Sequence, residues 1–223
     1  MNNKYVRHTH LSEPRFKELL KYFGADLTAT EAANLSRINR NTANRMFRLI
    51  RERIAGLEQD SASEPGTYEV DESYFGAKRV RGRRGRGAMG KIPVFGILKR
   101  GGEVHVKIVE NCSREQLLPI IRGQCLEGSV IYSDGWAAYD GLILNGYKHY
   151  RIHHHKDEFA RGKNHINGIE SFWAYAKHRL VRLKGIRPND FWIHLKECEF
   201  RFNNRDRDLY KLLLSELRKN PLG

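Results

Sequence analysis

Tyr68-Glu-Val-Asp-Glu-Ser-Tyr-Phe75 is the stretch of this 223-residue sequence that decides the fold. Its aromatic and β-branched residues predict a strand, and Asp71 stands in the middle of it. A carboxylate in a strand otherwise suited to burial is costly unless it is paired or liganded. We therefore predict a functional role for Asp71. Its neighbour Glu72 is expected on the opposite face of the strand, exposed to solvent.

Two more carboxylates follow at informative places. Asp134 ends the strand-like run Ser129-Val-Ile-Tyr-Ser-Asp134, and Glu170 lies in a helical run over residues 164–182, with 35 residues between the two acids. Two divalent cations roughly 3.5–4 Å apart can activate an attacking oxygen and stabilise a leaving one, and such hard cations prefer carboxylate ligands. Together with Asp71, these acids predict a two-metal site for cutting and joining DNA.

The short motifs around the acids are VDESYFG, YSDGWAAY and NGIESFWAYAKHRL. Through these motifs residues 66–205 resemble the bacterial insertion-sequence transposases of the DDE superfamily. The best resemblance is to a compact group with a basic residue seven positions after the third acid, here Lys177. Relatives in that group often carry an N-terminal zinc ribbon, which is not found here: the three cysteines, Cys112, Cys125 and Cys198, all follow the first acid.

The resemblance implies a mechanism and a set of partners. Asp71, Asp134 and Glu170 would bind two Mg²⁺ per active site, with Mn²⁺ as a substitute, and would be catalytic together with Lys177. The protein would hydrolyse double-stranded DNA at terminal inverted repeats and join the exposed 3′ hydroxyls to target DNA, as a homodimer or a larger oligomer. Asn167, one helical turn before Glu170, is the rival for the position of third ligand.

Two other functions stay open. The chain could be an RNase H-like nuclease or resolvase without strand transfer, which would cut DNA but never join it. It could also be a DNA-binding regulator derived from a transposase. Metal-dependent chemistry separates the regulator from the two enzymes.

The order of predicted elements after residue 66 is typical of an RNase H-like fold, and the fold class is therefore α/β with a mixed sheet flanked by helices. Residues 58–66 are rich in Ser, Pro and Gly and predict a linker. The predicted domains are a helical domain over 1–57 and a catalytic domain over 67–223. The helical tail from Asp190 to Leu217 is expected to pack its aromatic residues on the catalytic domain rather than stack them on bases. The predicted strands cover 68–75, 92–99, 103–109, 129–134 and 147–153, with helices over 113–122 and 164–182.

The first sixty residues predict a small all-α domain like a helix-turn-helix. Helices are expected from Ser12 to Phe23, after Thr28 or Thr30, and from Arg40 or Asn41 onward. The third helix is rich in Arg and Asn, which can contact phosphates and the edges of bases in the major groove, although a solvated helix face is about as probable for any one of them. The predicted DNA-binding residues on this helix are Arg40, Asn41, Asn44, Arg45 and Arg48, with Arg51 as a further candidate.

A basic, glycine-rich segment between the first two strands, residues 78–91, predicts a hairpin tip that grips DNA beside Asp71, and the alternative is a solvated loop whose charge only raises solubility. The candidates in it are Arg81, Arg83, Arg84 and Arg86, and Lys177 is expected to hold a phosphate near the cut.

Composition agrees with a DNA partner. The net charge of +14 and a pI near 9.8 favour binding to polyphosphate. The sequence has no apolar run of about 20 residues, and its polar start lacks the apolar segment of a signal peptide. We expect a cytoplasmic bacterial protein, with no membrane partner, that associates with the nucleoid when it acts.

Overall fold

The computed structural model describes residues 3–57, 65–76, 90–134, 146–152, 166–183 and 185–223. The chain forms two compact units. We call residues 59–182 the sheet unit, and residues 1–58 together with 183–223 the helical unit.

The sheet unit contains a five-stranded mixed sheet in the order β3-β2-β1-β4-β5. The first three strands pair antiparallel, and β4 and β5 extend the sheet in parallel with β1. The α/β class and the RNase H-like strand order predicted from the sequence are confirmed. The strands are β1 (Thr67–Phe75), β2 (Ile92–Lys99), β3 (Val104–Ile108), β4 (Val130–Asp134) and β5 (Lys148–Ile152).

Seven α-helices lie in the described ranges, and none of these helices is long and apolar enough to cross a membrane. Two belong to the sheet unit. One of these, α4, packs its buried Leu117 and Ile121 into a core that includes Tyr68 and Val70 of β1. The helices are α1 (Glu13–Gly24), α2 (Ala29–Ser36), α3 (Arg40–Ala55), α4 (Arg114–Gln124), α5 (Asn167–Arg182), α6 (Phe191–Asn203) and α7 (Leu209–Lys219).

The first three helices begin where their sequence signals predict. Thr28 and Glu31 form a capping box at the start of α2, and the Asn39 side chain accepts a hydrogen bond from the Asn41 amide at the start of α3. The turn between them contains no glycine. Arg37 instead takes the left-handed conformation, with φ of 54°, and Ile38 packs against the apolar core.

The C-terminal helices pack with the N-terminal helices, which differs from the predicted domain extent of 67–223. Phe200 of α6 and Leu213 and Leu217 of α7 share one apolar core with α1, α2 and α3. Near the two ends of the chain, Val6 pairs with Leu222 in a parallel bridge. The sequence alone could not assign these helices to a core, because an amphipathic helix shows how much apolar surface it has and not which core receives it.

A buried ion-pair network joins α3 to α6. Glu197, which is completely buried, accepts hydrogen bonds from Arg51 Nε at 2.7 Å and from Arg201 Nε at 2.9 Å. Both guanidinium groups also lie over the ring of Phe23, at 5.6 and 4.9 Å from its centroid. Arg51 is therefore part of the core, so its candidacy for DNA contact was wrong.

Candidate active site

Two adjacent parallel strands bring Asp71 and Asp134 together. Val70 of β1 is in register with Ser133 of β4, and each acid is the next residue along its strand. Asp134 is the last residue of β4, so its side chain lies at the end of that strand, level with the middle of β1. The sequence expectation that these two carboxylates meet is consistent with this register.

Glu72 completes a group of three acids. One carboxylate oxygen from each of Asp71, Glu72 and Asp134 can be chosen so that the three lie within 4.8 Å of one another. The Glu72 residue is only 5% exposed. The expectation that Glu72 is solvated was wrong: alternation along a strand fixes the direction of Cβ, while the longer Glu side chain places its carboxylate beside the neighbouring acids. The burial argument that selected Asp71 applies equally to Glu72 and could have identified it.

The proximity of these acids perturbs the protonation of Asp71. Burial is the largest of the causes that together raise the pKa of Asp71 from 3.8 to about 7, and the negative charges of Glu72, Asp134 and Glu170 contribute to the rise in that order. A hydrogen bond from the Glu72 backbone opposes part of this effect. Asp71 thus lies where negative charge is concentrated, and a cation would relieve that charge.

The donor set of this group fits a divalent metal ion. Hard cations such as Mg²⁺ take oxygen ligands at about 2.0–2.6 Å, so two ligands of one ion are separated by at most about 5 Å. The carboxylate oxygens of the three acids meet that limit. The arrangement can therefore hold a divalent cation between β1 and β4.

Glu170 lies in the first turn of α5 and is exposed. Its charge acts on Asp71, but it is not one of the three acids that meet the 4.8 Å limit among the described residues. Asn167, its rival as third ligand, is the first residue of α5 and is also exposed.

Helix α5 lies close to the sheet at the level of Asp71. Gly96 of β2 pairs directly with Asp71, and an added Cβ at Gly96 would lie 2.6 Å from the Trp173 ring. Trp173 also makes an edge contact with Phe75 of β1, with ring centroids 6.0 Å apart. The absence of a side chain at Gly96 thus lets the helix that carries Glu170 approach β1 beside Asp71.

Lys177 follows Glu170 by two turns of α5. It is exposed, and its Nζ lies 5.9 Å from the centroid of the Phe75 ring. Phe75 is four residues after Asp71 on the same strand face. The ammonium group is therefore held over the strand that carries the first acid.

The predicted DNA contacts on α3 have different surroundings. Arg40, Asn41, Asn44 and Arg45 are exposed. Arg48 is also exposed but pairs with Glu52 at 2.8 Å and with Asp190 at 3.1 Å. The basic residues Arg81, Arg83, Arg84 and Arg86 lie outside the described residues.

A mixed RNase H-like sheet with clustered carboxylates on its first and fourth strands is typical of enzymes of the polynucleotidyl transferase type. Residues 65–203, more than half of the chain, match the family described as the ISXO2-like transposase domain. The chain belongs to this transposase family.

Two similar proteins agree with this assignment. An uncharacterized transposase-like protein of Haemophilus influenzae is 39% identical over 120 residues, which are 54% of this chain and 97% of that protein. An uncharacterized protein in transposable element ISH50 of Halobacterium salinarum is 26% identical over 188 residues, which cover 76% of this chain and 64% of that protein.

Two solved structures show a distant likeness to this chain. The catalytic core domain of BIV integrase aligns with a TM-score of 0.42 at 11% identity, covering 70% of this chain and 98% of that one. The catalytic domain of Mos1 mariner transposase aligns with a TM-score of 0.31 at 11% identity, covering 94% of this chain and 97% of that one. At these TM-scores the likeness does not bear on function.

Proposed function

We propose that this transposase cleaves DNA at the ends of an insertion sequence and joins the exposed 3′ hydroxyls to target DNA, at one metal-dependent site. The observation that carries the proposal is the meeting of Asp71 and Asp134 across adjacent parallel strands, with the charge of Glu170 acting on Asp71. Family membership supports the same chemistry.

The proposed ligands are Asp71, Asp134 and Glu170, and Glu72 adds a fourth carboxylate at the same place. Two Mg²⁺ ions, with Mn²⁺ as a substitute, would supply activation of the attacking oxygen and stabilisation of the leaving one. The strands and the helix that carry these acids would hold the carboxylates in fixed positions, so that little rearrangement is needed when the scissile phosphate arrives.

Lys177 is proposed to bind a DNA phosphate beside the cut. The residue is exposed, and its ammonium group lies over Phe75, on the strand that carries Asp71. A phosphate contact there would align the backbone with the acids.

End recognition is proposed for the exposed face of α3 and for the basic segment at 78–91. Arg40, Asn41, Asn44 and Arg45 are available on α3, whereas Arg48 would have to leave two carboxylates to reach DNA. Because two DNA ends must be held together for joining, the active form is proposed to be a dimer or a larger assembly on terminal inverted repeats and target DNA. The net charge of +14 supports a DNA partner.

The test uses the full chain, labelled DNA from the element's own ends, a supercoiled target plasmid, and Mg²⁺ or Mn²⁺. Wild-type protein should give cleaved and joined products, and Asp71→Ala, Asp134→Ala and Glu170→Gln should give neither while still binding the end DNA. Glu103→Gln is the matched control because Glu103 is an exposed acid of the same unit.

Three results would contradict parts of the proposal. Cleavage without joining would indicate a nuclease, and specific binding without cleavage in either metal would indicate a regulator. If Glu170→Gln cleaves DNA at the wild-type rate, Glu170 is not a metal ligand.

A further inference from the structure

Glu69 is a buried carboxylate that the acid cluster does not use. It lies on β1 two residues before Asp71, on the same face of the strand, and is 1% exposed. Burial of a charged carboxylate is unfavourable unless it is paired and hydrogen-bonded. The partners of Glu69 therefore indicate its purpose.

One oxygen of Glu69 binds the start of α5. Its Oε2 accepts a hydrogen bond from the backbone amide of Ile169 at 3.0 Å. The first amides of a helix have no partner within the helix, and a negative charge near them is also stabilised by the helix dipole. Glu69 thus caps, from a neighbouring strand, the helix that carries Glu170.

The other oxygen of Glu69 fixes the carboxylate itself. Its Oε1 accepts a hydrogen bond from Arg100 Nε at 2.8 Å, and the Arg100 guanidinium lies 4.1 Å from the centroid of the Tyr132 ring. Arg100 follows β2 and Tyr132 belongs to β4, so the carboxylate is fixed by residues from both sides of β1.

Gly168 makes this contact possible. An added Cβ at Gly168 would lie 2.8 Å from Oε2 of Glu69 and 3.0 Å from a Leu98 methyl group. The first turn of α5 can approach β1 this closely only because residue 168 has no side chain.

We propose that Glu69 is a positioning residue for the transposase reaction: it fixes the first turn of α5 on β1, and so fixes Glu170, the residue after Ile169, relative to Asp71. The inference rests on the proposed function of Glu170 as a metal ligand. Glu69 touches neither DNA nor metal in this role and acts only through α5.

The test compares Glu69→Gln and Gly168→Ala with wild type and with Glu103→Gln as the exposed-acid control. The amide of Gln has the shape of the carboxylate but no charge for Arg100 or the helix start, and Ala disturbs the same contact from the helix side. Loss of such an outer contact typically lowers metal affinity or activity by about 10–100-fold. We therefore expect kcat for end cleavage to fall by about tenfold or more in both variants, with KM for DNA unchanged.

Two further measurements separate positioning from general damage. Mn²⁺ titration by calorimetry should show about tenfold weaker binding in Glu69→Gln. Hydrogen exchange should be faster in the first turn of α5, and unchanged in β3. If Glu69→Gln unfolds, Gly168→Ala provides the same comparison.

The outcomes distinguish the two proposals. Wild-type kcat, Mn²⁺ affinity and exchange in both variants would overturn the positioning role and leave the proposed function intact. If the wild type itself cuts no DNA, the proposed function fails, while weaker Mn²⁺ binding and faster exchange in the variants would still support positioning by Glu69.

Discussion

Replacement of Asp71 by Asn is expected to stabilise the metal-free protein above neutral pH while abolishing cleavage. Burial and three neighbouring acids raise the pKa of Asp71 from 3.8 to about 7 in the folded protein. An unfolded chain releases this proton near its ordinary pKa. Between about pH 4 and 7 the folded state therefore binds more protons than the unfolded state, and the free energy of unfolding falls as the pH rises.

The size of the effect follows from the same values. The interval from 3.8 to about 7 corresponds to an upper limit of about 4 kcal/mol, at about 1.4 kcal/mol for each pH unit. Asp71 is partly exposed, so screening by water reduces this, and we expect about 1–3 kcal/mol. Asn carries no charge at any of these pH values, so Asp71→Asn should exceed wild type by that amount at pH 8 and equal it near pH 4.

The assay is urea unfolding followed by circular dichroism, in EDTA, across this pH range. Hydrogen exchange of peptides covering residues 67–76 assigns the change to β1. Glu103→Gln, which removes an exposed acid, should show no pH-dependent gain. Added Mn²⁺ should stabilise the wild type more than the variant, because the ionised carboxylate is the form that binds metal. Equal or lower stability of Asp71→Asn at pH 8 in EDTA would refute the reasoning.

Four further predictions address other parts of the structure. Gly96→Ala should destabilise the sheet unit by about 1–3 kcal/mol, because the added Cβ would lie 2.6 Å from Trp173; an unchanged melting temperature would contradict this. Glu197→Gln should lower stability by about 3–5 kcal/mol in denaturant unfolding because it removes the buried carboxylate charge that Arg51 and Arg201 share, and a change below about 1 kcal/mol would show that the network is unimportant. Arg37→Gly should raise stability by about 0.5–1 kcal/mol in the same assay, since glycine adopts the φ of 54° without strain. A lower free energy of unfolding would mean that the Arg37 side chain stabilises the protein by more than the backbone strain costs. Lys177→Gln should weaken binding of end DNA and reduce the slope of log affinity against log salt concentration by about one. An unchanged slope would contradict the proposed contact between Lys177 and a phosphate.

The sequence predicted the sheet unit well because local signals agree with the tertiary structure there. The strand around Asp71 combines strong β propensity with apolar alternation. A carboxylate in the middle of such a strand is best explained by a functional role. The spacing of Asp134 and Glu170 then fitted a known catalytic pattern. The starts of α2 and α3 lie within the expected positions, after Thr28 and at Arg40.

The failures concern information that a local pattern does not contain. The face of a strand residue was predicted correctly for Cβ, yet Glu72 reaches the acid cluster because its side chain is long and flexible. The single helical tail is two helices, and their apolar residues Phe200 and Leu213 fill the N-terminal core. Glu69 escaped notice because its importance depends on Ile169, a residue 100 positions away in the sequence.

The shared core of the chain ends has a consequence for biosynthesis. Residues 3–57 are translated before Phe200, Leu213, Leu217 and Leu222, which complete their core. The sheet unit, whose strands and helices all lie between residues 59 and 182, can fold while the chain is still growing. The core of the helical unit is completed only afterwards. A premature stop codon after the sheet unit therefore yields a protein whose N-terminal helices expose apolar surface. Such a protein is a substrate for chaperones and proteases.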